Sequence, residues 1–215
     1  MQVKDYHPTG SQICLAKEWF NGHELDIHRV TISGEEYEMC DRASKGWWTA
    51  KKSGGGWNPG MLNSSHDPRK VERIGILGEM SFGALCGMPV DLEYNQFGNI
   101  ADFKVLSHPI DIKTAARGYG LGLIRCIDEY GRQMEMRCDI YAFAYLEFED
   151  KAARTATVAH VGYTTKSELL KRRIVRARKG SHKNYEIPYH ELKPMSKFLR
   201  LLSRLRMTQS GERSN

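Results

Sequence analysis

The sequence predicts an α/β domain in which a mixed β-sheet of about five strands is flanked by helices and preceded by an N-terminal extension. Three observations carry this expectation. Residues 68–86 repeat apolar side chains at helical spacing behind an Asp67-Pro68 start signal. After Gly98 the period switches to alternation, the signature of strands. Thr165 with Glu168, and then Pro194, open two further helices.

The bulk numbers bound the answer before any motif is read. At 215 residues, 40% hydrophobic and 27% charged, the chain has the length and composition of a globular protein with a proper core, which excludes a disordered or fibrous chain. We divide it into residues 1–66, an extension ending in a Gly- and Trp-rich loop; 67–206, the α/β core with basic C-terminal helices; and 207–215, a flexible tail. No stretch approaches the roughly 20 consecutive apolar residues of a membrane span, so no membrane partner is expected. Met1 to Cys14 lacks a basic region followed by an apolar run, and the cytoplasm of a prokaryotic or phage-infected cell is the expected compartment. The five cysteines are odd in number, scattered, and free of any C-x-x-C pair, which reads as reduced thiols.

Charge is unevenly placed. The formal net charge is +6, but Lys166 to Arg206 hold 13 Lys or Arg against three Glu, leaving the remainder net acidic. Such segregation suits a polyanion, because each neutralised phosphate releases condensed counterions. A solvated basic helix face fits the charge count equally well.

In chain order, Leu15 to Phe20 read as a short helix and Leu25 to Ile32 as a strand closed by a Ser33-Gly34 turn. Ser44 to Ser65 read as a mobile loop in which Trp47, Trp48 and Trp57 stand among Lys45, Lys51 and Lys52, a pattern able to grip a nucleic-acid strand and equally that of buried tryptophans anchoring a loop. The helix over 68–86 places Val71, Ile74, Leu77, Gly78, Ser81 and Leu85 on one face. Glu72 and Glu79 lie together on another, bordered by Gly75, Gly83 and Cys86. A β-hairpin turning on Ser107 and His108 follows, then strands at Leu121 to Ile127, Asp139 to Phe148 and Ala156 to Tyr163, the second of these apolar enough to be central. A basic helix runs from Thr165 to about Lys179, and a last amphipathic helix carries Phe198, Leu199, Leu202 and Leu205.

The hairpin carries the chemistry. Pairing about the Ser107-His108 turn sets Asp102 opposite Lys113 and Lys104 opposite Asp111, so that four charges share one face. Two carboxylates on stiff strands are what a hard cation such as Mg²⁺ needs, since it takes oxygen ligands and keeps waters for substrate phosphates. Lys113 projects on the same side and can orient water or offset charge in a phosphorane-like transition state. Taken alone, D-x-K spacing also fits a cross-strand salt-bridge ladder.

Order and context add to this. Gly78-Glu79 on a helix, Asp102 on a strand, a short turn, and then Ile110-Asp111-Ile112-Lys113-Thr114 together resemble the restriction-endonuclease-like nucleases of the PD-(D/E)XK superfamily, over residues 67 to 165. The resemblance implies a metal-dependent nuclease hydrolysing DNA phosphodiesters with Mg²⁺, Mn²⁺ being able to substitute. Asp102 and Asp111 would be metal ligands with the backbone carbonyl of Ile112, Lys113 the catalytic lysine, and Glu79 the helix acid, with Glu72 as the alternative. Ala101 stands where the superfamily carries proline. No element proposes base-edge readout, so cleavage directed by nucleic-acid structure or ends is expected over strict sequence specificity. Backbone contacts are assigned to Lys171, Arg172, Arg173, Arg176, Arg178, Lys179, Lys51, Lys52 and Trp57. RNA as substrate and a homodimer both remain open, as do a non-catalytic nucleic-acid binder on the same fold and a phage-encoded interaction protein.

Other motifs are weaker. Gly118-Tyr119-Gly120-Leu121-Gly122 lacks the strand-to-helix context of a phosphate loop and reads as a turn; His160 reads as a core histidine; Asp139 reads as a capping or hydrogen-bonding residue able to support the site.

Overall fold

A computed structural model of the chain describes residues 6–53, 67–93, 101–128, 130–176 and 182–212. They form a mixed α/β structure. Its main sheet has six strands: β1 (Gln12–Phe20), β2 (His23–Ser33), β3 (Phe103–Val105), β4 (His108–Ala115), β6 (Ile140–Asp150) and β7 (Thr155–Thr165). Their order is β1-β2-β7-β6-β4-β3, antiparallel throughout except for the parallel pair β4 and β6. A second, antiparallel sheet orders β5 (Leu121–Ile127), β9 (Lys183–Pro188) and β8 (Ile174–Arg176).

Two apolar cores lie on opposite faces of the main sheet. Strand β6 shows why: Tyr141, Phe143 and Tyr145 point into the core shared with Ile124, Tyr185 and Ile187 of the second sheet. The intervening Ala142 and Ala144 lie under the helices α1 (Gly34–Ser53), α2 (Pro68–Cys86) and α4 (Met195–Glu212). Large side chains on one face and alanines on the other let helices approach closely where the backbone is nearest. The expected sheet flanked by helices is thus a sheet with helices on one face and a smaller sheet on the other.

Several elements follow the expectation. Helix α2 begins at Pro68, with the Asp67 side chain accepting from the Arg69 N–H at 3.0 Å, and ends at Gly87 in the left-handed region (φ 58°), which glycine adopts without strain. Of its expected apolar face, Ile74, Leu77, Gly78, Ser81 and Leu85 are buried and Val71 is exposed. Strand β6 is flanked on both sides, as its apolar run requires.

Others differ, for physical reasons that can be named. Leu15 to Phe20 belong to a strand, because Asn21-Gly22, both at positive φ, make the tight turn of a β1–β2 hairpin. That hairpin pairs with β7, so residues 12–33 are part of the main sheet. The Ser33-Gly34 turn leads directly into α1, which takes up Ser44 to Ser53 of the expected loop; Trp47 packs against the helix-side core and donates its indole N–H to the Leu92 carbonyl at 3.0 Å. The rest of that loop lies outside the described residues. The capping box at Thr165 and Glu168 is present but opens only one turn, α3 (Lys166–Leu169). The β-branched pair Ile174-Val175 then joins β9 as strand β8, which overrides the helical reading of this basic segment. At the other end, α4 continues to Glu212, well into the expected tail. No helix among the described residues is long and apolar enough to cross a membrane.

His160 sits fully buried on β7, its Nε2 2.8 Å from Ser81 Oγ of α2. Burial first, and the neighbouring His28 second, press its pKa down to about 3. Its folded pKa therefore lies below that of an unfolded histidine, so the unfolded chain binds the extra proton and stability falls as pH drops from about 6.5 toward 3. His160→Gln removes this term. The stability lost between pH 7 and pH 4.5, read from urea midpoints, is expected to be smaller in the variant than in the wild type by about 2–3 kcal/mol.

Candidate active site

The structure brings Glu79, Asp102, Asp111 and Lys113 together. Asp102 stands just before β3, where its backbone N–H donates to the Ile110 carbonyl at 3.0 Å and its Oδ2 accepts the Ile112 N–H at 2.6 Å. The β3 ladder ends at this point, and the carboxylate takes over the role of the missing strand partner. The hairpin register is Phe103 with Ile110, Lys104 with Pro109 and Val105 with His108. This is two residues away from the expected pairing, because Leu106 takes a positive φ (55°) and the turn tightens onto Leu106-Ser107. A shift of two keeps every side chain on its face but changes the partners. Asp102 therefore meets Asp111 instead of Lys113, and Lys104 is left exposed outside the site.

Lys113 pairs instead with its own strand neighbour, its Nζ 2.8 Å from Asp111 Oδ2. Glu79 arrives from α2, and Gly78 explains how. A Cβ at Gly78 would stand 1.7 Å from Thr114 Oγ1 of β4, a distance no real side chain tolerates, so the absence of that Cβ lets α2 lie directly on β4. The next residue, Glu79, is thereby held within electrostatic reach of both aspartates. Glu72, the alternative helix acid, also acts on Glu79 through its charge, more weakly than either aspartate.

The electrostatics follow from this crowding. Burial first, then the charges of Asp102 and Asp111, push the Glu79 carboxyl well above the usual glutamate range, with Lys113 opposing. Burial and Asp111 push Asp102 up to about 7, against the Ile112 N–H and Lys113. Burial pulls Lys113 down, but Asp111 and Asp102 outweigh it and its pKa is raised. The lysine is therefore an ammonium at neutral pH.

Among the described residues, no three His, Cys, Asp or Glu form a ready-made metal cage. The chemistry of the donor set nonetheless fits a hard divalent cation. The oxygens it offers are carboxylates, and the burial and mutual repulsion that raise the proton affinities of two of them would be offset by a +2 charge.

Sequence reasoning missed Cys138. Its buried thiol is pushed up to about 12 by burial, Asp111 and Asp102, which places it against the acidic cluster as a neutral neighbour. No motif marks it, since it arrives through the loop before β6. Asp139 clamps the segment: its N–H donates to the Pro109 carbonyl at 3.0 Å, its carbonyl accepts from Lys166 N–H at 2.8 Å, and its Oδ2 lies 2.8 Å from His108 Nδ1. The Gly118 to Gly122 run is the connection from β4 into β5.

The basic residues are arranged differently from expectation. Lys171, Arg173 and Arg176 are exposed on and just before β8, the edge strand of the second sheet, rather than on a helix. Arg172 is ion-paired with Glu191. Lys51 and Lys52 close α1, with side chains outside the described residues, as are Trp57, Arg178 and Lys179. Comparison with protein-family models, curated proteins and solved structures finds no match.

Replacing Gly78 by Ala gains intrinsic helix propensity but collides with Thr114, and the overpacking is expected to destabilise the protein by about 1–3 kcal/mol in denaturant unfolding. In a double-mutant cycle with Thr114→Gly, the coupling should be favourable by about 1 kcal/mol or more; additive effects would mean that α2 does not rest on β4 at this point.

Proposed function

We propose that the chain is a metal-dependent nuclease that hydrolyses DNA phosphodiester bonds on a restriction-endonuclease-like fold. The observation that carries this reading is the convergence of Glu79, Asp102 and Asp111 on one another, with Lys113 held charged beside them. A salt-bridge ladder would neutralise its acids pairwise; here three carboxylates share one lysine, an arrangement that costs stability and is typical of sites shaped for chemistry. The order of elements supports the reading too: a helix acid, a hairpin bearing Asp102 and the Asp111-Ile112-Lys113 strand, and a parallel neighbour in a mixed sheet.

Asp102, Asp111 and the Ile112 carbonyl would hold Mg²⁺ or Mn²⁺, with Glu79 completing the set. A cation so bound supplies Lewis acidity and charge neutralisation at the scissile phosphate. The protein's own groups do the rest. Lys113, as an ammonium, donates to a non-bridging phosphate oxygen or to the attacking water and offsets the negative charge that builds as the new P–O bond forms. The burial and the aspartate charges that raise the proton affinity of Glu79 would be offset by a +2 charge, which frees its carboxylate to ligate, and the proton of the attacking water leaves to solvent. The exposed Lys171, Arg173 and Arg176 would grip the backbone without reading bases, so cleavage follows the structure or ends of the DNA.

Linear, circular and branched DNA are expected to be cut in Mg²⁺ and left whole once a chelator is added. Lys113→Ala should lower kcat by about 100-fold or more with DNA retention nearly unchanged, and Asp111→Asn should raise the Mg²⁺ requirement. A protein that retains DNA but leaves every substrate whole would be a binder, and the catalytic assignment would fall.

Neutralising Arg173 and Arg176 together should weaken DNA binding and reduce the slope of log K against log salt by about 2. An unchanged slope would make β8 a solvated edge.

A further inference from the structure

We propose that Ser81 and His160 are positioning residues for Glu79, joined in a hydrogen-bonded chain that fixes the Gly78–Glu79 peptide; this rests on the nuclease reading. Ser81 Oγ lies 2.8 Å from the Gly78 carbonyl oxygen and 2.8 Å from His160 Nε2. A hydroxyl has one proton and a carbonyl can only accept, so the serine donates to Gly78 and the imidazole donates to the serine. This fixes the neutral Nε2–H tautomer of His160 and leaves its Nδ1 as a buried acceptor, consistent with the absence of any partner there among the described residues.

The chain runs from the main sheet to the helix that carries Glu79. His160 is fully buried on β7, where its backbone is paired on one side with β2 at His28 and on the other with β6 at Ala144, so the sheet sets the position of its imidazole. The Phe82 ring of α2 packs 5.9 Å away between centroids. Ser81 is also fully buried and passes that restraint to the carbonyl of the residue before Glu79. Serine bonding back to a carbonyl one turn earlier in a helix tilts that peptide and bends the helix. On its other side the same peptide is bounded by Thr114, which fills the space a Gly78 side chain would take. The peptide is therefore clamped between β7, through two hydrogen bonds, and β4, through direct contact.

A clamp is needed at this position. Asp102 and Asp111 repel the Glu79 carboxylate, and a helix free to shift would relieve that repulsion by carrying Glu79 away. The chain resists the shift from beneath the helix, where water does not compete for its hydrogen bonds.

The test compares cleavage by the full chain with Ser81→Ala, Ser81→Thr, His160→Leu and His160→Gln, recording kcat, KM for DNA, half-saturating Mg²⁺ and urea midpoint. Positioning predicts that Ser81→Ala and His160→Leu lower kcat by about 10-fold or more and raise half-saturating Mg²⁺ several-fold, with KM for DNA unchanged. Ser81→Thr and His160→Gln, which keep the hydroxyl and a side-chain N–H, should recover most of both. Should Ser81→Ala not fold, the His160 pair reads the same quantities. A purely structural role predicts lower urea midpoints with wild-type kcat and Mg²⁺ dependence in the folded fraction, and that result overturns the proposal. Wild-type protein that cuts no DNA would instead remove the nuclease reading on which it rests.

Discussion

The candidate site depends on one close contact, the seating of α2 on the main sheet at Gly78. The helix can come this near because its own surface lacks a side chain there and because β6 presents Ala142 and Ala144 beneath the helices. Helix approach is ordinarily set by the side chains between the axes, and removing them on both partners shortens it. The consequence is electrostatic, since the shortened distance brings the Glu79 carboxyl into the field of Asp102 and Asp111, from which a helix held further off would be separated.

The second constraint is the end of the β3 ladder. A strand edge leaves N–H groups needing partners, and Asp102 Oδ2 satisfies that of Ile112. The bond draws the Asp102 carboxylate onto the flank of β4, beside Asp111, where repulsion opposes it. Packing and backbone hydrogen bonding thus hold together charges that would separate if free. Lys113 offsets part of that repulsion without removing it, so the cluster stays acidic while its lysine stays protonated.

The rest of the fold supports this corner. The two cores grip the main sheet from both faces, and between them β6 turns Tyr141, Phe143 and Tyr145 to the second-sheet side and Ala142 and Ala144 to the helix side. The Asn21-Gly22 hairpin widens the sheet beyond β7, and Arg206 of α4 donates to the Cys86 and Gly87 carbonyls at 2.7 and 3.0 Å, satisfying groups left open where α2 ends. Among the described residues, the basic charge toward the C-terminal end is spread over α3, the segment leading into β8, β8 itself, β9 and α4, instead of lying along one long helix after Thr165.

The sequence by itself determined the elements whose signals are local. The cap and period of α2, the alternation of β4, the strand runs of β5, β6 and β7 and the Thr165 capping box were all legible because each rests on spacing within a few residues, whereas Glu79 was singled out through the superfamily resemblance. The Asn21-Gly22 turn was equally legible and was outweighed by an apolar run that fits helix and strand alike. What only the tertiary structure decided are relations between distant segments. The hairpin register that sets Asp102 against Asp111, the arrival of Cys138, the choice of strand for Ile174 to Arg176 and the small-residue seat beneath α2 depend on which surfaces meet. Local propensities of a fraction of a kcal/mol per residue cannot specify contacts that burial and backbone hydrogen bonding settle together.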